Sequence, residues 1–404
     1  MPDLALGAFR ILEIGDFISS AYAGRFLTGL GAEVIKVEPP CGDELRRFGP
    51  FPGDAPNPEK SGAFLYYHAG KLGVTLNPRA PTGRDLLLRL AAQVDGLVTN
   101  YPPTFWDELG VSYADLAREN PGLVMVAISP FGWTGPYRDY KAYEITCWHG
   151  SGAAHRYMGE PGEQPLRGAF YQADHWGGAN AAAAMLLAWH QRADTGRGQF
   201  VDVSETEALA TLYVGYNNAA VFFHTGEVKS RGGNRQQGGA PAALLPCKDG
   251  FVYIFTPQVH MWEGLKRAMG DPDWAKDPLF QGTYAERGRY ADEMYALMSD
   301  WLMEHTKQEI FMACQTNKAP CTPVSTMADL AQNEHLRARG YFVPLGRPET
   351  GEFEMPGAPF KLPATPWRIE RPAPLLGEHN AEVYCGRLGL SARDLAALRR
   401  CGVV

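Results

Sequence analysis

Apolar residues in the first third of the chain fall into short runs that alternate with stretches of helical spacing. FRILEIG (9–15) is a short apolar run, SAYAGRFLTGLG (20–31) is helical in composition, and AEVIKVEPP (32–40) is a second apolar run stopped by two prolines. The order strand, helix, strand predicts a parallel pair joined by a right-handed crossover. The alternation continues. GRDLLLRLAAQ (83–93) has one apolar face, VDGLVTNY (94–101) reads as a strand, TFWDELGVSYADLARE (104–119) as helical, and GLVMVAISPFG (122–132) as a buried strand. Such alternation over about 130 residues predicts a doubly wound, Rossmann-like α/β domain.

The pattern changes from SRGGNRQQGGAPAALLPCKDGFVYI (230–254), where a glycine-rich loop leads into strands and then into helices at 261–270 and 290–305. We expect a large Rossmann-like domain beginning at 1–225 and a smaller α+β domain at 226–325, followed by a C-terminal segment, 326–404, of helices and proline-rich loops. A chain of 404 residues is long enough for about two domains.

Charge narrows the ligand classes. Lys and Arg number 38 against 45 Asp and Glu, a net charge of −7, so neither nucleic acid nor an anionic membrane is expected as a partner. The apolar run around 181–189 is far shorter than the roughly 20 residues of a membrane span. The opening MPDLALGAFRILEIGDF has no basic n-region and no small-residue cleavage site, so no secretory signal is expected. Seven dispersed cysteines without a C-x-x-C pair read as reduced thiols in a cytoplasmic protein. Neither a zinc pattern nor H-E-x-x-H is present, so no metal is expected.

The first strand–helix turn, EIGDFISSAYAG, lacks G-x-G-x-x-G, and no G-x-x-x-x-G-K-[ST] occurs. A nicotinamide, flavin or P-loop ligand is therefore not expected. A Ser-His-Asp triad fails for want of a G-x-S-x-G elbow. In FYQADHWGGANAAAAMLLAWHQR (170–192), Asp174 precedes an alanine-rich helical run. It reads either as an N-cap or as a carboxylate presented by the helix end, where the dipole and N–H groups hold it ionised. Gly177 and Gly178 each cost the helix up to about 1 kcal/mol relative to alanine, which suits a close-approaching backbone or ligand. Lys36, Arg46, Arg47, Lys71, Arg79 and Lys141 read singly as surface groups. Together, those in the first sheet's loops are placed to meet phosphates. Trp148, Trp176, Tyr171 and Tyr157 are candidates for an acyl pocket, and Arg167 for a second substrate carboxylate.

These pieces together resemble the class III CoA-transferases, a family that includes formyl-CoA transferase, carnitine CoA-transferase and α-methylacyl-CoA racemase. The resemblance rests on LGAEVIKVEPP…GD (30–43), GKLGVTLN (70–77), PFGWTGPYRD (130–139), ADHWGG (173–178), RADTGRGQFVDVSETEAL (192–209) and RPAPLLGEHNAEV (371–383). It implies that the C-terminal segment, 326–404, returns to complete the large domain, and that two chains interlock as a homodimer or a heteromer. It also implies transfer of coenzyme A from an acyl-CoA, such as succinyl-CoA, to a free acid, with CoA and acyl-CoA as substrates and no permanently bound cofactor. By position, Asp174 matches the nucleophile that carries CoA as a thioester and Glu144 a site acid. Gly238 and Gly239 fall in the mobile glycine loop Gly232–Gly239, and Leu76, Arg79, Asn100, Tyr101 and Lys141 at CoA contacts. This chain departs from the family pattern at Glu108, where many members carry Arg, and at Ile18, which argues against formyl and oxalyl substrates. His68 also departs, in HAGK. The racemase branch has a Gly-His-Asp motif where Tyr143-Glu144 stands, so transfer is expected over epimerisation. The remaining alternative is a low-activity partner subunit of a heteromeric CoA-transferase.

Overall fold

The structure is a computed structural model that describes residues 4–213, 218–234 and 238–404. The chain divides into two compact units, one of residues 1–153, 167–223 and 338–404 and the other of 154–166 and 224–337.

The first unit is built on six parallel strands: β1 (Arg10–Ile14), β2 (Glu33–Glu38), β3 (Leu72–Thr75), β4 (Gly96–Thr99), β5 (Val124–Ser129) and β6 (Phe200–Ser204), in the order β3-β2-β1-β4-β5-β6. The order reverses direction between β1 and β4, and the crevice beyond the strands' C-terminal ends at such a point is where doubly wound sheets bind ligands. Successive strand side chains point to opposite faces. Leu12, Ile14, Ile35 and Val37 pack on one face against the helices Pro81–Ala91, Pro103–Leu109 and Tyr113–Glu119. Ile11, Val34, Val98 and Val126 pack on the other against the helix Ser19–Gly29 and the long helix Gln172–Thr195. The stretch 104–119, read as helical, forms two helices. Gly110 ends the first in the left-handed region at φ 62°, and Ser112 starts the second with a capping box to Asp115.

The last residues of this unit cover the edge strand β3. Thr75 N–H donates to Asn380 Oδ1 at 2.9 Å, Asn380 Nδ2 donates to Thr75 Oγ1 at 2.8 Å, and the Tyr384 hydroxyl donates to the Thr75 carbonyl at 2.7 Å. An antiparallel hairpin of β10 (Phe342–Arg347) and β11 (Gly351–Pro356) belongs to the same unit.

The second unit carries a three-stranded antiparallel sheet of β7 (Ala242–Cys247), β8 (Gly250–Phe255) and β9 (Cys321–Pro323). Trp262, Met298, Leu302 and Ile310, from the helices Val259–Ala268, Ala291–Glu304 and Lys307–Thr316, close its core.

Three of the basic residues read as phosphate partners are instead buried beneath the sheet's ends. Lys36 Nζ lies 2.6 Å from Asp43 Oδ2 and 3.6 Å from Glu13 Oε1, and Lys71 Nζ lies 2.6 Å from Glu13 Oε2. Arg46 pairs with Glu38 at 2.6 Å and Glu59 at 2.7 Å. Ions removed from water this completely persist only when paired, so Lys36, Lys71 and Arg46 are structural. His68, also fully buried, sits 3.3 Å from Lys71 Nζ. Burial, then the Lys71 charge, holds its imidazole well below its ordinary pKa and hence neutral.

Candidate active site

The C-terminal ends of β1, β4, β5 and β6 open onto a cavity of about 660 Å³, lined among others by Phe17, Ser19, Asn100, Ser129, Glu144, Arg167, Asp174 and Glu205. The first β-turn-helix connection is fixed by Asn100, whose Oδ1 accepts from Asp16 N–H at 2.9 Å. Its Nδ2 donates to the Asp16 carbonyl at 2.6 Å and to Ser19 Oγ at 3.1 Å.

Asp174 enters the cavity from the start of the helix Gln172–Thr195. That helix begins two residues before Asp174, so Asp174 is not its N-cap. The residue in the cap position, Tyr171, is left-handed at φ 43° and caps nothing with its side chain. Phe170 before it is left-handed too, at φ 51°. Such conformations cost non-glycine residues on the order of 1 kcal/mol each and persist where the surroundings enforce them. Glu144 supplies the missing cap from another helix, Glu144–Gly150. Its Oε1 accepts from Gln172 N–H at 3.0 Å and its Oε2 from Ala173 N–H at 2.8 Å.

This arrangement reverses the expectation that the helix end keeps Asp174 ionised. The leading N–H groups serve Glu144, and protein surrounds Asp174. Burial first, then the charges of Glu205 and Glu144, holds its carboxyl well above the ordinary carboxylate range, with only its own N–H opposing. Glu205 follows β6 directly and is buried. Burial pushes its carboxyl up to about 7 against a hydrogen bond from Ser19, with Glu144 adding to the rise. Cys147 Sγ lies 3.9 Å from Glu205 Oε2, and burial, then Glu205, pushes that thiol up to about 12. At neutral pH Cys147 is therefore no thiolate nucleophile. Glu144 is raised as well, by burial, against its backbone donors and the Arg167 charge.

Gly177 and Gly178 make room for protein. A Cβ on Gly177 would lie 2.8 Å from Glu205 Cγ, and one on Gly178 would lie 2.5 Å from the Ser19 carbonyl oxygen of the crossing helix. Phe17, left-handed at φ 63°, Phe48 and Tyr171 form an aromatic cluster at the cavity wall, with ring centroids 4.9–5.8 Å apart. No histidine is among the cavity's described lining residues. His175, beside Asp174, directs Nδ1 at the Tyr171 carbonyl at 2.7 Å and Nε2 at the Tyr67 hydroxyl at 2.8 Å.

A second cleft, of about 450 Å³, opens beyond the ends of β1 to β4 and includes Leu76, Arg79, Tyr101, Phe105 and Glu108.

A family model described as CoA-transferase family III matches residues 6–380. The chain belongs to CoA-transferase family III. Succinyl-CoA–D-citramalate CoA-transferase from Chloroflexus aurantiacus is 32% identical, covering all of this chain and 99% of its own. The BbsE subunit of succinyl-CoA:(R)-benzylsuccinate CoA-transferase from Thauera aromatica is 34% identical over 98% of this chain and 97% of its own. Among solved structures, a CAIB/BAIF family protein from Brucella suis is 26% identical with a TM-score of 0.83, covering 94% of this chain and 98% of that one. The chain is accordingly a transferase enzyme.

The residues expected at family III CoA contacts are divided by the structure. Leu76, Arg79 and Tyr101 line the 450 Å³ cleft, Asn100 lines the Asp174 cavity, and Lys141 is exposed and lines neither. The Arg79 guanidinium is in short contact with Glu108 and lies 5.2 Å above the Phe105 ring. Tyr171 and Arg167 line the Asp174 cavity, whereas Trp176 does not, and Trp148 is buried beneath Gly168. Tyr143 beside Glu144 also lines that cavity, and Ile18 is a core residue. Gly238 and Gly239 belong to the second unit. Gly238 is left-handed at φ 103°, and a Cβ on Gly239 would meet the Tyr284 ring at 2.2 Å. Residues 235–237 of the glycine loop lie outside the described residues. Sequence reasoning missed Glu205, whose signal was an acid at the junction of strand and helix in VDVSETEAL.

Proposed function

We propose that this chain moves coenzyme A from an acyl-CoA to a free carboxylic acid through a thioester on Asp174. The carrying observation is that Glu144 caps the Asp174 helix, leaving the Asp174 carboxylate unspent on the floor of the cavity. Asp174 attacks the thioester carbonyl and expels CoA thiolate, forming a mixed anhydride. The thiolate attacks Asp174 Cγ and expels the donor acid. The acceptor carboxylate then attacks the aspartyl-CoA, again expelling thiolate, which takes the acceptor acyl group and returns Asp174 as a carboxylate. Nucleophile and leaving group exchange roles in each half, so the thioester energy is conserved.

The curated relatives named above support succinyl-CoA as donor and an acceptor acid with a second carboxylate. Exposed Arg167 at the cavity wall is the proposed partner of that second carboxylate. The adjacent cleft with Leu76, Arg79 and Tyr101 is proposed for CoA. Family resemblance assigns Gly238 and Gly239 to shielding the anhydride, and Lys141 to phosphate contact. The working unit we propose is an interlocked homodimer in the cytoplasm. Exposed Phe222 and Phe223 on the helix Asn218–Thr225 support a covered surface there. With no histidine among the cavity's described lining residues, α-proton exchange is the weaker reading.

Oxygen tracing tests the scheme. In a single turnover with an acceptor acid labelled with ¹⁸O in its carboxylate, one label ends in the Asp174 side chain, because the acceptor's oxygen bridges the second anhydride. Label passing to the released donor acid, with none in Asp174, contradicts it.

A further inference from the structure

Glu205 lines the cavity with Glu144 and Asp174 but, among the described contacts, caps no helix and faces no cation, and the transfer scheme gives it no step. It is buried, and the helix that carries Asp174 is cut back to glycine at position 177 where the Glu205 side chain passes. Around it stand Asp174 on that helix, Glu144 and Cys147 on the helix Glu144–Gly150, and Ser19 on the helix Ser19–Gly29. Ser19 Oγ accepts from Asn100 Nδ2 at 3.1 Å, which leaves its own proton for another acceptor, and its hydroxyl counters the rise of the Glu205 carboxyl. The nearby cation, Arg167, faces Glu144.

We propose that Glu205 is the proton partner of Asp174: in the free enzyme one proton is shared between them, and it leaves the site when Asp174 becomes a thioester. This rests on the aspartyl-CoA reading above. The balance is simple. In the free enzyme Asp174 and Glu205 together carry one proton and one negative charge. Attack on the acyl-CoA converts Asp174 into a neutral thioester and releases the donor acid as an anion. Glu205 then no longer faces the Asp174 charge and gives its proton to solvent, so the pair's negative charge stays at one. When an acceptor carboxylate enters, Glu205 takes a proton back, and the cavity avoids gathering an extra buried anion. Burial first, and then Glu205, raises the Asp174 carboxyl, as this sharing requires, and both carboxyls line the one cavity. Glu205 is thus a positioning residue, acting through the ionisation of Asp174.

The test is proton counting in a weakly buffered solution with an indicator dye, mixing the full-length enzyme with succinyl-CoA and no acceptor at pH 6.5–7.5. The mass of the Asp174 peptide is followed in parallel. Wild type releases up to one proton per Asp174 loaded, and takes it back when an acceptor dicarboxylate such as citramalate is added. That return distinguishes it from thioester hydrolysis. In Glu205→Gln the release falls at least twofold per loaded site, and the pH at which loading reaches half its maximal rate moves downward. A purely structural role does not move that profile in this direction. Stoichiometric loading of wild type without proton release overturns the proposal, as does equal release in Glu205→Gln. If Glu205→Gln does not fold, Glu205→Met is read in the same way, because a variant without the Glu205 carboxyl is what separates the shared proton from one held by Asp174 alone. If Asp174 is never loaded, the underlying transfer scheme fails, and this proposal with it.

Discussion

Glu144 accepts hydrogen bonds from Gln172 and Ala173 N–H with its two carboxylate oxygens, at 3.0 and 2.8 Å, and so fixes the first turn of the helix that holds Asp174. In the proposed transfer, Glu144 serves as the cap and Asp174 is left to react. Truncation, Glu144→Ala, leaves two backbone donors without partners. It is expected to cost about 1–2 kcal/mol and to lower kcat at least tenfold. Asp174→Asn is expected to keep or raise the melting temperature while abolishing transfer. Thermal melts alongside steady-state rates separate the two.

The two glycines after Asp174 differ in what they face. Gly178→Ala sets a Cβ 2.5 Å from a backbone oxygen of the crossing helix. It is expected to destabilise by about 1–3 kcal/mol. Gly177→Ala meets the Glu205 side chain, which can move, and the helix gains up to about 1 kcal/mol of propensity. We expect a melting temperature close to wild type but an altered pH profile of CoA loading, measured by quenched flow.

Arg79 is held by Glu108 on an exposed face of the cleft proposed for CoA. An exposed pair of this kind contributes at most about 1 kcal/mol, so a ligand phosphate competes with it readily. Glu108→Gln is expected to lower KM for acyl-CoA about threefold at low salt, with the gain fading at high salt. Arg79→Gln is expected to raise KM with little change in kcat. Initial-rate measurements at two ionic strengths check both.

Asp16 adds a pH dependence to stability. Burial first, then Asp43, raises its carboxyl from 3.8 to about 7. Between those values the folded state holds a proton that the unfolded chain has lost, so this contribution is present below about pH 4 and disappears as pH rises to about 7. Asp16→Asn retains an acceptor for the Phe17 and Glu44 N–H groups. It is expected to exceed wild type by about 2 kcal/mol above pH 7, discounted for partial exposure, and to converge with it near pH 4. Urea denaturation across that range measures the difference.

The sheet was legible because its strands are buried on both faces and read as apolar runs between helical stretches. Two strands escaped that reading. β3 is four residues long, and β6, FVDVS, mixes apolar and polar positions. The mistaken phosphate partners have a different cause. Nothing local in the sequence pairs Lys71 with Glu13 or Lys36 with Asp43, and only the folded sheet brings them within 2.6 Å. The role of Asp174 in its helix was also out of reach. The first turn is capped by Glu144, 28 residues away in sequence from Gln172. Glu205, in turn, reads like any acid in a helix's first turn until its burial beside Asp174 is seen.

The proposed transfer requires that Asp174 carry coenzyme A. Brief incubation with succinyl-CoA without acceptor, then hydroxylamine or borohydride treatment and peptide mass spectrometry, reads this out at the residue itself. A hydroxamate or a reduced alcohol at Asp174, absent when acyl-CoA is omitted, is the expected result. An unmodified Asp174 in enzyme with full transferase activity overturns the scheme.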